Sequence, residues 1–329
     1  MKAAWYDRQG PAREVFEVGE LPAPVPGEGE VRIAVWSSGI NPGDVKKRSD
    51  AFGVGMPFPR VIPHSDGSGV IDAVGAGVAS CSEGDRVWCF GAQSYRPFGT
   101  AAEYTVVPTA NVAPLPESSS YEAGACLGIP GLTAFQAVHV AGPVADRTVL
   151  VQGGAGAVGS CAVAIARHAG AHVLATVRCE EDLQRALDSG AHDVLQTRDL
   201  NDKELVRLVV EVAPDGVDHI VEVAFHANVE LDHQLLGQRG SIAAYATGNP
   251  MPPLPFWPLV FKNLRLYFIG SDDFSVQEKR TAAETLTEML RMGWHPHPVA
   301  ERLPLAEIAR AHELVESGRT RGRLLLDLT

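Results

Sequence analysis

Along the first third of the chain, apolar positions come in short β-branched runs cut by Gly and Pro: EVRIAVWSSGI, GSGVIDAVGAGV, GDRVWCF and TAAEYTVVP. Short strands separated by turn signals predict a β-rich, barrel-like domain. From about Ser120 the texture changes. YEAGACLGIPGLTAFQAVHV carries helical spacing with a Pro-Gly break. After VADR, the apolar TVLVQ is followed by a helical AVGSCAVAIARHAG, a strand HVLATV, a helical EEDLQRALDSG and then HDVLQT. ELVRLVVEVA, VDHIVEVA, LDHQLLGQRG and SIAAYAT continue the alternation, and repeated βα units predict a parallel sheet with helices on both faces. Beyond the Pro-rich NPMPPLPFWP lie a strand-like LRLYFIG, a long helix from about Ser275 to Met292, a second helix LAEIARAHELVESG and a terminal strand GRLLLDL. The expectation is an α/β protein: a discontinuous β-rich domain of residues 1–122 and 262–329, interrupted by a doubly wound parallel-sheet domain of residues 123–261.

One stretch carries chemistry. VQGGAGAVGS places Gly154, Gly156 and Gly159 in GxGxxG spacing, directly after an apolar strand and before a helix containing Val163, Ile165 and Ala166. That context is what a dinucleotide cradle requires. Gly154 is expected to permit the tight turn, Gly156 to let the backbone approach a pyrophosphate, and Gly159 to let the helix pack on the strand. The free amides around Ala157 and Val158 then face the anion. The cofactor type depends on the end of the second strand. There ATVRCEED puts Thr176, Val177 and Arg178 where an NAD site has an acid for the ribose hydroxyls, so NADPH is expected; the other reading has Glu180 or Glu181 binding ribose.

Composition narrows the partners. The 329 residues are 45% hydrophobic and 21% charged, enough for two domains. Lys plus Arg number 28 against 40 Asp plus Glu, a net charge of −12 with the acids scattered, which argues against nucleic acid or an anionic membrane as partner. No run approaches ~18–20 uninterrupted apolar residues, so no transmembrane helix is expected. MKAAWYDRQG lacks the apolar core and cleavage site of a secretory signal. The five cysteines, Cys81, Cys89, Cys126, Cys161 and Cys179, are widely spaced with no CxxC, which fits reduced thiols in a cytoplasmic protein.

SSGINPGDVKKRSD, GDRV, GTAAEYTVVP, LGIPGLTAFQAV, VQGGAGAVGS, DSGAHDV and GRLLLDL also occur in a family's order and spacing. Over nearly its whole length the chain resembles the zinc-independent quinone oxidoreductases, zeta-crystallin type, of the medium-chain dehydrogenase/reductase superfamily. The resemblance implies a GroES-like catalytic domain and an inserted Rossmann domain. It implies NADPH as hydride donor, a small-molecule quinone as acceptor, and a homodimer joined through the edge strand LRLYFIG. It places Asn41 beside the nicotinamide, its carboxamide donating to the substrate oxygen, with Asp44 orienting that loop and Thr133 near the nicotinamide ribose. Ala224 and Phe225 with His226, Ala246 and Thr247 with Gly248, and Phe268, Ile269 and Gly270 would line the cofactor's other side, with Arg323 a further cofactor contact. Phe52, His64 and Trp257 would form the substrate wall. Plainer readings stand beside these: Asn41 as a turn residue before Pro42, Asp44 as a helix cap, Thr133 as a buried helix threonine, and the loop around Phe256 and Trp257 as packing.

Zinc-dependent members hold catalytic zinc with Cys, His and Cys. The corresponding positions resemble Asn41, His64 and Pro130, and one nitrogen ligand does not complete a site that needs three, so no metal is expected and His64 reads as structural or as a site wall. Catalysis then rests on placing the hydride against an electron-poor acceptor in a dry cleft. Lys46 and Phe52 stand where many relatives carry tyrosines, and a phenyl ring has no proton to give, which lowers the reading as an enoyl-thioester reductase. Asp182 replaces a lysine used elsewhere for the 2′-phosphate, leaving that group to Arg178 with Arg198. The runner-up is an enal, enone or enoyl-thioester reductase. A third reading, from another class, is a non-catalytic NADPH-binding protein with a structural or regulatory role.

Overall fold

The computed structural model describes residues 1–296 and 298–328. The chain opens with β1 (Lys2–Trp5), α1 (Ala12–Val15), β2 (Glu17–Glu20), β3 (Glu30–Gly39), α2 (Pro42–Arg48), β4 (Asp66–Val74), β5 (Arg86–Cys89), β6 (Tyr104–Pro108), β7 (Val112–Pro114) and α3 (Tyr121–Ala125). Next come α4 (Gly128–His139), β8 (Thr148–Val151), α5 (Ala157–His168), β9 (His172–Val177), α6 (Leu183–Asp188), β10 (Asp193–Gln196) and α7 (Asp202–Val212). β11 (Val217–Glu222), α8 (Phe225–Leu235), β12 (Leu236–Ala244), α9 (Phe256–Phe261) and β13 (Arg265–Phe268) follow, and α10 (Val276–Arg291), β14 (Val299–Pro304), α11 (Ile308–Ser317) and β15 (Arg323–Asp327) complete the chain. These fall into two units, Met1–Leu132 with Asp272–Thr329, and Thr133–Ser271.

The first unit is built on a seven-stranded sheet ordered β14-β15-β3-β4-β5-β7, with β6 also paired to β3. Only β14 and β15 pair in parallel. β3 shows why its sequence is a strand: Val31, Ile33 and Val35 fall on one face and pack with Ile71, Val87 and Val107. That is the period of two of a half-buried strand. Trp88 is fully enclosed and satisfies its indole by donating to Thr287 Oγ1 on α10 at 3.2 Å.

The second unit has six parallel strands ordered β10-β9-β8-β11-β12-β13. This is the doubly wound order, and its winding reverses between β8 and β11. The strands read as continuous apolar runs because helices cover both faces: Leu150, Leu174, Ile220 and Ile242 pack with Leu205 and Val209 of α7 and Val229 of α8.

Several elements differ from expectation. The interruption in the helical stretch falls between α3 and α4, not at Pro130-Gly131. Pro130 is in the first turn of α4, where its missing N–H has no intrahelical partner to lose. The Pro-rich segment contains α9, started by Pro255 at its N-cap. β13, expected in the first domain, pairs with β12 from Ser241–Arg265 to Ala244–Phe268 and so belongs to the second unit's sheet. The chain also enters the second unit later than residue 123. α3 lies tight on the first unit's sheet, where a Cβ on Gly124 would come within 2.9 Å of Ser68 and 3.2 Å of Trp88.

A lysine closes α8 without any sequence signal at the helix itself. Lys262 Nζ donates to the carbonyls of His233 at 2.8 Å and Leu236 at 2.7 Å, and partial burial lowers its pKa. Lys262→Met should therefore lower stability by about 1–2 kcal/mol, read as a lower urea midpoint; an unchanged midpoint would show that the cap contributes nothing.

Candidate functional site

In the first unit, GINPGD turns the chain from β3 into α2. Asn41 is the N-cap with φ −114° and Pro42 takes the first helical position, where its fixed φ suits the helix. Asp44 Oδ2 accepts from the Asn41 amide at 2.8 Å. The expected loop-orienting carboxylate and the plainer helix cap are thus the same contact.

Three neighbouring strands bring distant residues to this turn. Gly39 of β3 lies opposite Asp66 of β4 and opposite Leu325 of β15. Asn41 Nδ2 donates to Asp66 Oδ2 at 2.7 Å, and Asn41 Oδ1 accepts from Arg323 Nη1 at 2.8 Å. A carboxylate only accepts and a guanidinium only donates, so these partners fix the orientation of the amide. The Ile129 amide donates to Asp66 Oδ1 at 2.8 Å, and Arg323 Nη2 lies 3.4 Å from Oδ2. Asn41, Asp66 and Arg323 are 2%, 0% and 3% exposed. Burial pushes the Asp66 carboxyl up to about 6 against the pull of Arg323. Burial, with the Asp66 charge adding to it, pushes Asp44 up to about 7 against the pull of Lys47.

His64 is fully buried with φ +75°. Its Nδ1 bonds Ser38 Oγ at 2.8 Å and its Nε2 bonds His312 Nε2 at 2.9 Å; burial lowers its pKa to about 3, so the ring is neutral. Of the two roles expected for it, the geometry matches the structural one. Arg323, expected as a cofactor contact, is instead committed to Asn41 and Asp66 inside the first unit. Phe52 is exposed, with Lys46 Nζ 6.0 Å from its ring centroid.

In the second unit the glycine turn follows β8. The left-handed φ of +69° belongs to Gly153, not to Gly154 as expected. Gly154 serves close approach to β9, since a Cβ there would lie 2.7 Å from that of Ala175. On Gly159 it would lie 2.1 Å from the Gly153 carbonyl, which is the close packing expected of that position. Gly156 is the N-cap of α5, with nothing nearer than 3.3 Å to the same probe position. The amides of the first turn, including Ala157 and Val158, have no intrahelical acceptors and form an anion-ready end.

Thr176 is buried, its Oγ1 accepting from the Gly153 amide at 3.1 Å and donating to Gln152 Oε1 at 2.6 Å. The Thr197 amide donates to the Val177 carbonyl at 2.8 Å, which brings exposed Arg178 and Arg198 to the same end of β9 and β10. Asp182 accepts from Arg185 at 3.2 Å and from Cys179 Sγ at 3.1 Å, so its charge is already answered locally. The ends of the remaining strands run on in the same crest. The Phe225 amide, next to Ala224, donates to the Ala246 carbonyl at 3.2 Å, and the Ile269 amide donates to the Ala244 carbonyl at 3.0 Å. Phe225 itself is a core residue packed edge-on against exposed Phe268. Thr247 and Gly270 are exposed, Thr133 is buried on α4, and Trp257 on α9 is exposed and stacked on Phe261. Sequence reasoning missed Gln152, Gly153, Asp66, Glu222 and Asp232. For Gln152 and Glu222 the available signal was a polar residue at the carboxyl end of an otherwise largely apolar strand.

Comparison with known proteins fits both units. The alcohol dehydrogenase GroES-like domain family matches residues 27–117, and the zinc-binding dehydrogenase family matches residues 157–288. The quinone oxidoreductase of Mus musculus is 32% identical over 329 residues, covering 96% of this chain and 97% of the relative. A solved NAD-dependent alcohol dehydrogenase superposes with a TM-score of 0.86 at 28% identity, covering all of both chains. A mycobacterial protein solved in complex with NADPH gives 0.85 at 27% identity, covering 99% of this chain and 100% of that one. The chain belongs to the quinone oxidoreductase family of the medium-chain dehydrogenase/reductase superfamily and is an oxidoreductase. Its residues do not fit the zinc named in one of those descriptions. Asn41 is bound by Asp66 and Arg323, both His64 nitrogens are engaged, Pro130 has no donor atom, and among the described residues no group of three or more His, Cys, Asp or Glu could hold a metal ion.

Arg323→Met would leave the Asp66 charge buried without its cation, and should cost about 3–5 kcal/mol at mildly alkaline pH. In that variant the folded-state pKa of Asp66 rises further, so the penalty should grow as pH rises and shrink in acid, where Asp66 takes a proton. Unfolding midpoints of both proteins at two pH values check this; an equal loss at both would exclude the charge as its cause.

Proposed function

We propose that the protein transfers a hydride from NADPH to a quinone or a similarly activated carbonyl compound, without zinc. The observation that carries the cofactor choice is the exposed pair Arg178 and Arg198, neither of which has an ion-pair partner among the described residues, at the ends of β9 and β10. They supply two cations for a 2′-phosphate where an NAD site would hold an acid. A solved NAD-dependent alcohol dehydrogenase and a mycobacterial protein solved with NADPH share this fold, so these residues rather than the fold support the choice.

Gly154, Gly156, Ala157, Val158 and Gly159 would bind the pyrophosphate, and the crest of Ala224, Ala246, Thr247, Phe268, Ile269 and Gly270, together with Thr133, would hold the nicotinamide half. Asn41 uses one Nδ2 hydrogen on Asp66 and keeps a second for a substrate oxygen. The Arg323 bond to Oδ1 polarises that amide toward donation. NADPH held there would supply the hydride; Asn41 would donate to the acceptor oxygen as it gains charge, and solvent would supply the proton that completes the hydroquinone. Phe52 and Trp257 would wall an aromatic acceptor. The edge position of β13, with Phe268 68% exposed, supports a homodimer that extends the parallel sheet. Among the described residues no helix is long and apolar enough to cross a membrane, which accords with a cytoplasmic enzyme.

Metal-stripped protein should oxidise NADPH with 9,10-phenanthrenequinone or 1,4-benzoquinone, and more slowly with 2-alkenals. The reverse order would favour an alkene reductase, and NADPH binding without turnover on any acceptor would favour a non-catalytic role. Arg178→Ala should raise KM for NADPH about tenfold and leave KM for NADH unchanged; a wild type that prefers NADH would sink the cofactor assignment. Light scattering should give the mass of two chains, and a monomer would defeat the dimer.

A further inference from the structure

β8 and β11 are the adjacent strands at which the parallel sheet reverses its winding, and buried polar side chains that the reading above leaves unused cluster at their carboxyl ends. Gln152 follows β8, Glu222 closes β11 and Asp232 comes from α8; they are 5%, 0% and 0% exposed. A directed line of hydrogen bonds joins them to the glycine turn. The Gly153 amide donates to Thr176 Oγ1 at 3.1 Å, Thr176 Oγ1 donates to Gln152 Oε1 at 2.6 Å, and Gln152 Nε2 donates to Asp232 Oδ1 at 3.1 Å. The other Asp232 oxygen, Oδ2, is enclosed and has no donor. The Asp232 carboxyl lies within side-chain hydrogen-bonding reach of the Glu222 carboxyl. Glu222 is itself supplied with donors, the Ala224 amide and Asn228 Nδ2, the latter at 3.0 and 3.1 Å from its two oxygens.

Two carboxylates enclosed together with no cation cannot both be charged. The donors around Glu222 favour its ionised form, whereas Asp232 has only Gln152. A proton on Asp232 Oδ2 removes the repulsion and gives that oxygen its missing bond. We infer that Asp232, protonated and donating to ionised Glu222, is a positioning residue for the dinucleotide, holding Gln152 and Thr176 so that the Gly153 amide and the phosphate-binding turn are fixed. This rests on the reading of that turn as a dinucleotide site.

Burial raises both carboxyls; the Glu222 charge raises Asp232 further, whereas the bonds from Ala224, Asn228 and Asp232 pull Glu222 back down. The surrounding groups add no cation. Tyr245, beyond β12, is pushed up by burial and by Glu222, and next to it lies Cys161 of α5. On α8, His226 accepts from the Gly248 amide and His233 pairs with Glu230. Among the described residues no basic side chain forms an ion pair with either carboxyl. Loss of the shared proton at alkaline pH therefore puts a second negative charge beneath a turn that must receive a pyrophosphate.

The test is NADPH affinity of the full chain, followed by nicotinamide fluorescence from neutral to alkaline pH, for the wild type, Asp232→Asn and Asp232→Ala. Wild-type affinity should fall as pH rises. The Asn carboxamide accepts from Gln152 and donates to Glu222 as the protonated acid does, so Asp232→Asn should bind like the wild type at neutral pH, with a flat profile. Asp232→Ala should bind about tenfold more weakly. An Asn variant that keeps the wild-type pH slope, or that binds as weakly as the Ala variant, would overturn the inference. Thermal unfolding keeps the two readings apart. The folded chain holds a proton that the unfolded chain has released, so wild-type stability should decline with rising pH more steeply than that of Asp232→Asn, whether or not NADPH binds. A wild type that binds no NADPH yet shows this difference would remove the dinucleotide reading, and with it the positioning role, while leaving the shared proton; equal slopes would remove the shared proton.

Discussion

A carboxylate shut away from water needs a cation and enough donors for its lone pairs, and Asp66 obtains both from three directions. The Ile129 amide, the Asn41 carboxamide and the Arg323 guanidinium arrive from the first turn of α4, from the start of α2 and from the start of β15. The last two are held by the pairing of β15, β3 and β4, so the sheet register and the charge support each other. Asn41 thereby has a single orientation, and its N-cap position is fixed again by Asp44.

The second unit solves a related problem with neutral groups. Its parallel sheet is largely apolar, with His219 and Ser241 satisfying each other inside it, and Gln152, Thr176 and Glu222 gather at the carboxyl ends, where the winding reverses and the glycine turn leaves β8. There the backbone amide of Gly153 is satisfied by Thr176, and Thr176 in turn by Gln152. The glycines divide their work. Gly153 supplies the left-handed conformation, Gly154 and Gly159 supply close approach, and Gly156 keeps the loop open. The spacing of the motif was legible, but the division was not, because φ and Cβ clearance depend on what packs against each position.

Sequence reading went furthest where the information is local. Strand alternation in β3, the run from β8 through the glycine turn to α5, and the capping pattern of Ser275 with Glu278 before α10 all lie within a few residues of the element they specify. It went wrong where a local signal had a non-local answer. Pro130 looked like a break, but the first helical turn tolerates it. LRLYFIG was assigned to the outer domain, while its backbone pairs with β12. His64 was left between wall and structure until its two nitrogens were seen to be engaged by Ser38 and His312.

The amino-acid sequence by itself determined most of the alternation of strands and helices and the glycine turn between β8 and α5, because hydrophobic period and turn chemistry act between near neighbours. Tertiary structure decided which polar residues act together. Asn41, Asp66 and Arg323 meet across sequence separations of 25 and 257 residues, and Gln152 reaches Asp232 across 80. Nothing in a short window distinguishes such residues from ordinary turn, cap or surface positions. Their roles come from burial, which makes each unpaired lone pair or charge costly and leaves only partners delivered by the sheet to satisfy it.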